Sequence, residues 1–155
     1  MIAGPMEIPL HAPLDAEDLP APAEGRALCL SGGGYRAMLF HLGAVWRLNQ
    51  LGVLPTLSRI SSVSGGSIVA ALLGLRWSQL RFEAGVATNF GEEIVKPIRR
   101  LAGRTLDAGA VLRGALLPGS AHDKFAASLA RHLYGDATLQ DVTAAPDFVF
   151  NATNL

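Results

Sequence analysis

The stretch that decides the fold is Arg59–Gly74, which reads RISSVSGGSIVAALLG. Leu57 to Val63 is too short for a helix and holds two β-branched residues, so it reads as a strand. Gly65 to Leu75 is compact and apolar and reads as a buried helix. Between them stands Ser64. A serine at a strand-to-helix turn does chemistry only when three conditions meet. Its backbone must be strained so that the hydroxyl is pushed out of the sheet. Small residues two before and two after must let strand and helix pass closely. The following amide and the helix N-terminus must face the developing negative charge. The usual pattern is Gly-x-Ser-x-Gly (GXSXG); here it is Ser62-Val63-Ser64-Gly65-Gly66, with serine in the first small position. Ser64 has small residues on both required sides and leads Ser61, Ser62 and Ser67 as the candidate nucleophile. A plain tight turn or a helix N-cap is the competing reading of the same residues.

Upstream, Ala27-Leu-Cys-Leu30 is a short unbroken apolar run that ends in Ser31-Gly-Gly-Gly34. A buried parallel strand running into a glycine loop fits that pattern. From Tyr35 to about Leu51, Met38, Leu42, Val45, Trp46 and Leu48 recur at helical spacing, and Gly52 and Pro55 follow as stop signals. Two strand–loop–helix units in succession imply an α/β fold with a parallel sheet, because parallel strands need crossover connections. Gly32, Gly33 and Gly34 offer backbone N–H groups unobstructed by side chains at a helix start, which is how an oxyanion hole is built. A nucleotide-phosphate loop would need a following lysine, and a dinucleotide loop a third glycine where Ala37 stands; neither fits. A glycine-rich connection with no chemistry is the bland alternative.

Downstream the pattern weakens. Ser78 to Phe90 reads as helical, and Glu92 to Leu101 as a helix that Pro97 starts or kinks. Arg104 to Gly119 carries three glycines and a proline and fits a lid or a helical hairpin. Ser120-Ala-His-Asp123 resembles a capping box that opens a helix to about Tyr134, where Gly135 stops it. Asp147 to Leu155 reads as a strand, and a core strand so placed carries the expectation that the fold continues. Residues 1–25, rich in proline and acidic groups, are expected to form an extended or disordered leader, with one domain over 26–155.

Thirteen basic and thirteen acidic residues balance, so charge gives no case for a nucleic-acid partner. Cys29 is the single cysteine, which excludes an internal disulfide and speaks against a cysteine metal site; within its apolar run it reads as a buried thiol. The N-terminus has no basic region followed by an apolar core, so no signal peptide is read. No window offers about eighteen uninterrupted apolar residues, so no transmembrane segment is expected. The chain is placed in the cytoplasm or peripherally at a membrane.

The glycine loop Gly32-Gly33-Gly34-Tyr35-Arg36-Ala37 and the elbow Ser62-Val63-Ser64-Gly65-Gly66 together resemble the patatin-like phospholipases, serine acyl hydrolases of lipids. The intervening helix and the closing FVFNATNL are also similar to that family. Ala37 replaces the last glycine of the family's loop and Ser62 the first glycine of its elbow; both substitutes are small. The resemblance implies a three-layer fold with a mainly parallel central sheet flanked by helices, here incomplete at the C-terminus. It implies a Ser-Asp dyad acting on lipid carboxyl esters, with Ser64 as nucleophile and no metal or cofactor. Gly32, Gly33 and Gly34 would form the oxyanion hole. Gly65 and Gly66 would support the elbow, and Arg36 would brace the loop or meet a lipid phosphate. The substrate would be a lipid or a membrane surface.

The family's base is an aspartate in an Asp-Gly motif, and this chain has no Asp-Gly dipeptide. Asp107, Asp123, Asp136, Asp141 and Asp147 read as caps or loop residues, so the base is expected beyond the chain, which alone should turn over little substrate. A Ser-His-Asp hydrolase would have to use His122 or His132, whereas His41, ahead of Ser64 and inside the apolar helix, reads as a packed or partly exposed imidazole. A non-catalytic lipid- or partner-binding remnant of the fold is the third reading.

Overall fold

Parallel pairing organises the structure, a computed structural model that describes residues 24–105 and 126–152. β1 (Ala27–Leu30) leads through the glycine loop into α1 (Gly34–Gln50). β2 (Arg59–Val63) turns at Ser64 into α2 (Gly65–Arg76). A small antiparallel hairpin follows, β3 (Phe82–Glu83) with β4 (Val86–Ala87), and then α3 (Lys96–Thr105). The last elements are α4, residues 126–134, and β5 (Asp147–Asn151). The sheet order is β1-β2-β5, all parallel, with Ala27 opposite Arg59 and Arg59 opposite Asp147. This is the α/β arrangement expected, a small parallel sheet flanked by helices.

Both crossovers step the same way across the sheet, and right-handed crossovers of one direction lay their helices on one face. The strands alternate accordingly. Leu30, Ile60 and Ser62 are buried and Phe148 and Phe150 half-buried on the helix side, while Cys29, Val63 and Val149 are exposed on the other. Met38, Leu42 and Val45 of α1 form a stripe at helical spacing that packs with Val69, Leu72 and Leu73 of α2 in one core. Gly74 permits the close approach of α2 to β5 and the loop before it: a Cβ there would stand 2.7 Å from Val142 and 3.3 Å from the Phe148 ring.

Three expectations change. Cys29 is exposed, because β1 is the edge strand of the described sheet and residue 29 points to its open face. An unbroken apolar run does not distinguish an edge strand from a central one. Ser78–Phe90 is a hairpin, not a helix. Its tight turn has Ala84 and Gly85 at φ 48° and 84°, both left-handed, which suits the twist of a two-residue hairpin loop. Buried Asn49 of α1 then serves β4 from the side, its amide donating to the Ala87 carbonyl at 3.1 Å while its oxygen accepts from the Ala87 N–H at 2.8 Å. Asn89 closes the other end, accepting from the Arg81 N–H and donating to the Gln79 carbonyl, both at 2.9 Å. Finally, the helix that contains Pro97 opens with a wide five-residue turn, Gly91–Val95, and the helix before Gly135 ends in another, Ala130–Tyr134. Pro97 supplies no N–H for the carbonyl four residues back, which loosens the turn before it. The leader before residue 24, the lid-like stretch from 106, and the capping box at Ser120–Asp123 lie outside the described residues.

Candidate active site

Ser64 stands at the carboxyl end of β2, where the sheet stops and α2 begins, with φ 51° and ψ −120°. For a residue with a Cβ this is a strained backbone, costing of the order of 1–3 kcal/mol. It is not a capping geometry. An N-cap serine lies in the extended region and accepts from the first-turn amides, whereas Ser64 makes no side-chain cap bond. Ser64 is exposed, and its hydroxyl hydrogen-bonds no carboxylate or imidazole among the described residues.

Two glycines make that strain tenable. A Cβ on Gly65 would collide with the Gly34 carbonyl, and one on Gly66 would lie 2.5 Å from the Leu30 carbonyl oxygen and 2.8 Å from its Cβ. The elbow is therefore pressed against both β1 and the glycine loop. A Cβ on Gly32 would stand 3.4 Å from the Ser64 Cβ, so the loop and the serine are neighbours. Gly33 caps α1 at φ 133° and abuts Ala37, where a Cβ would stand 3.2 Å away; the alanine in place of a loop glycine fits that contact. The structure thus gathers Gly32, Gly33, Gly34, Ser64, Gly65 and Gly66 at one end of the sheet. Arg36 stands apart, exposed, with no hydrogen bond or ion pair among the described residues.

Ser62, the elbow's other departure, is occupied. Its hydroxyl accepts from Ser67 at 3.1 Å and donates to the Val149 carbonyl at 3.3 Å, linking α2, β2 and β5. The Asn151 amide donates to Ser61 Oγ at 3.0 Å and to the Ser62 carbonyl at 3.1 Å. These bonds escape sequence reading because β5 lies almost ninety residues away in the chain.

Beside Ser64 opens a cavity of about 480 Å³ lined by Gly34, Tyr35, Ile68, Ala71, Leu129 and Tyr134. Its wall is apolar in effect. Tyr134 donates its hydroxyl to the Ile68 carbonyl at 3.1 Å, and burial pushes its pKa up, so the phenol stays neutral. Ser67 spends its hydroxyl on Ser62. A hollow of about 550 Å³ along β5, from Arg59 and Asp147 to Phe150, holds no comparable nucleophile, and Arg59 and Asp147 pair there at 3.1 Å.

Two of the described aspartates are arranged for structure. Asp147 sits beside Arg59, roughly 13 Å of strand away from the Ser64 end. Asp141 closes a capping box with Thr138; the Thr138 N–H and then its hydroxyl, at 2.7 and 2.9 Å, hold its carboxyl below the usual range. Thr143 bonds back to the Gly74 carbonyl, which keeps this loop at the far end of α2 from Ser64. Asp136 is exposed just past Gly135. His132 makes no hydrogen bond among the described residues, and Asp107, Asp123 and His122 lie outside them. Among the described residues no helix is long and apolar enough to cross a membrane, and no three His, Cys, Asp or Glu side chains are grouped to hold a metal.

Comparison with curated proteins and with solved structures gives no match. The family model described as "Patatin-like phospholipase" matches residues 28–154, which takes in β1, the glycine loop, the elbow and β5. The chain therefore belongs to the patatin-like phospholipase family.

Proposed function

We propose that the chain carries the nucleophile and oxyanion hole of a serine acyl hydrolase that cleaves lipid carboxyl esters. The observation that carries this reading is Ser64 itself: strained at φ 51°, exposed, not used as a cap, and set between the glycine loop and an apolar cavity. The ester's acyl chain would lie in that cavity, where no free polar side chain competes for it. Ser64 Oγ attacks the ester carbonyl, and the carbonyl π electrons move onto oxygen. The amides of Gly33 and Gly34 receive that oxyanion, and one such donor is worth about 10²–10³ in rate. An aspartate takes the serine proton and returns it to the departing alcohol. Water then hydrolyses the acyl-serine by the same steps in reverse. The aspartate is sought outside the described residues: Asp141 and Asp147 stand at the wrong end of the sheet, and Asp136 is exposed in the turn after Gly135. Arg36, exposed beside the loop, is free to meet a lipid phosphate. The acyl hydrolase works at a lipid surface without a metal or cofactor.

The test is fluorophosphonate labelling of the full-length protein with hydrolysis of nitrophenyl esters alongside. Ser64→Ala should abolish labelling and cut hydrolysis by ~10³-fold or more. His122→Ala and His132→Ala should leave both intact, which separates a Ser-Asp dyad from a histidine triad. Labelling that persists in Ser64→Ala would overturn the assignment.

A further inference from the structure

Loop glycines are the least self-supporting part of a site that must be rigid, because glycine loses the most backbone freedom on ordering. Gly33 and Gly34 take φ of 133° and 60° and bring no side chains to hold themselves in place. Something must fix the point where β1 enters the loop. Arg36 makes no such contact. His41 does. It lies on α1, two turns past the loop, and is only 5% exposed. Helical side chains lean toward the helix N-terminus, here toward Ser31. Nε2 lies 3.0 Å from the Ser31 carbonyl oxygen and 3.1 Å from Ser31 Oγ. Phe40 sets its ring edge-on to the imidazole, centroids 5.4 Å apart at 75°.

We propose that His41 is a positioning residue: through Nε2–H it clamps Ser31 and so fixes Gly32–Gly34 against Ser64. The tautomer follows from the partner. A carbonyl oxygen only accepts, so the proton sits on Nε2, and the Ser31 hydroxyl oxygen shares the same donor. Ser31 is covalently followed by Gly32, whose Cα sits beside Ser64, so slack at Ser31 becomes slack in the loop's amides. The clamp itself is a statement about backbone order, whereas its catalytic consequence rests on the Ser64 reading.

The experiment reads the two apart in the full-length protein. In the wild type, nitrogen NMR of His41 should show the Nε2–H tautomer; the Nδ1–H tautomer would overturn the clamp without any mutation. His41→Leu should lower the nitrogen-relaxation order parameters of Gly32–Gly34 from the rigid level of about 0.85 to below about 0.6, with β2 and α3 unchanged. His41→Gln, whose amide reaches the same oxygen, should restore them. Ester hydrolysis in His41→Leu should fall by about 10²-fold in kcat with KM little changed, as for a misplaced catalytic group, and recover in His41→Gln. Unaltered glycine order in His41→Leu sinks the clamp. Lowered order with undiminished kcat sinks its catalytic role. Should Ser64→Ala keep hydrolysing, the nucleophile reading fails instead, and the order-parameter and tautomer arms still decide whether His41 holds the loop.

Discussion

Two residues other than glycine take a left-handed backbone among the described residues, Ser64 at φ 51° and Ala84 at φ 48°. Their surroundings differ in kind. Ala84 sits in an exposed two-residue hairpin turn followed by Gly85, where positive φ is what the turn demands. Ser64 sits at the junction of a sheet and a helix, wedged by Gly65 and Gly66 against backbone from β1 and the loop. In the first place strain serves a reversal of the chain. In the second it holds a hydroxyl clear of every partner among the described residues. Strain alone therefore marks nothing; strain that leaves a polar group unspent, at the end of a parallel sheet, is what supports the proposal for Ser64.

That contrast can be broken from its supports inward. The largest effect is expected for Gly66→Ala: with a Cβ 2.5 Å from the Leu30 carbonyl, helix and strand must separate, costing ~3 kcal/mol or more in urea unfolding. An unchanged midpoint would mean that the elbow is not wedged. Next is Asn49→Leu, which strands the buried Ala87 N–H and carbonyl and should cost ~2–3 kcal/mol, loosening the hairpin while leaving Ser64 reactivity intact.

The two strained positions themselves come third. Ala84→Gly should raise stability by ~1 kcal/mol with activity unaltered, because glycine carries no Cβ penalty at positive φ. Ser64→Gly should gain a similar ~1 kcal/mol over Ser64→Ala, since both lose the hydroxyl but only glycine sheds the strain. Equal stability of the two Ser64 variants would remove the strain from the account. The smallest effect is at Asp141, whose carboxyl the Thr138 N–H and hydroxyl hold below its ordinary pKa. A folded-state pKa that is depressed contributes stability above the unfolded value and loses it as pH falls through the folded one. The difference between wild type and Asp141→Asn should thus be present at neutral pH and close in strong acid. A gap that persists there would mean the carboxyl's charge is not what the capping box uses.

Much of the elbow and loop was legible because it is written in local residues. Small side chains flank Ser64, three glycines end an apolar run, and a helical stripe of Met38, Leu42 and Val45 follows them. The hairpin at Phe82–Ala87 was not, because strands of two residues carry no period and depend on Asn49, which approaches from another helix. Cys29 was misread for a related reason: strand order, not the run's own residues, decides which face is covered. His41 had a local signal that could have been used. It continues the buried stripe of α1 one residue before Leu42, and a buried imidazole there needs a polar partner near the start of that helix. The aspartates were legible as caps and loop residues one by one, yet only the register with Asp147 beside Arg59 shows how far they stand from Ser64.

The side of the sheet left open among the described residues has a practical corollary. Cys29 is the chain's single cysteine, and it shares a row with Ser61 and Val149 on the face turned away from both helices. One maleimide dye would therefore attach at one known spot, backed by the sheet and separated from the loop by Leu30 and Ser31. Its emission would register anything that settles on that surface, a readout that asks nothing of the serine.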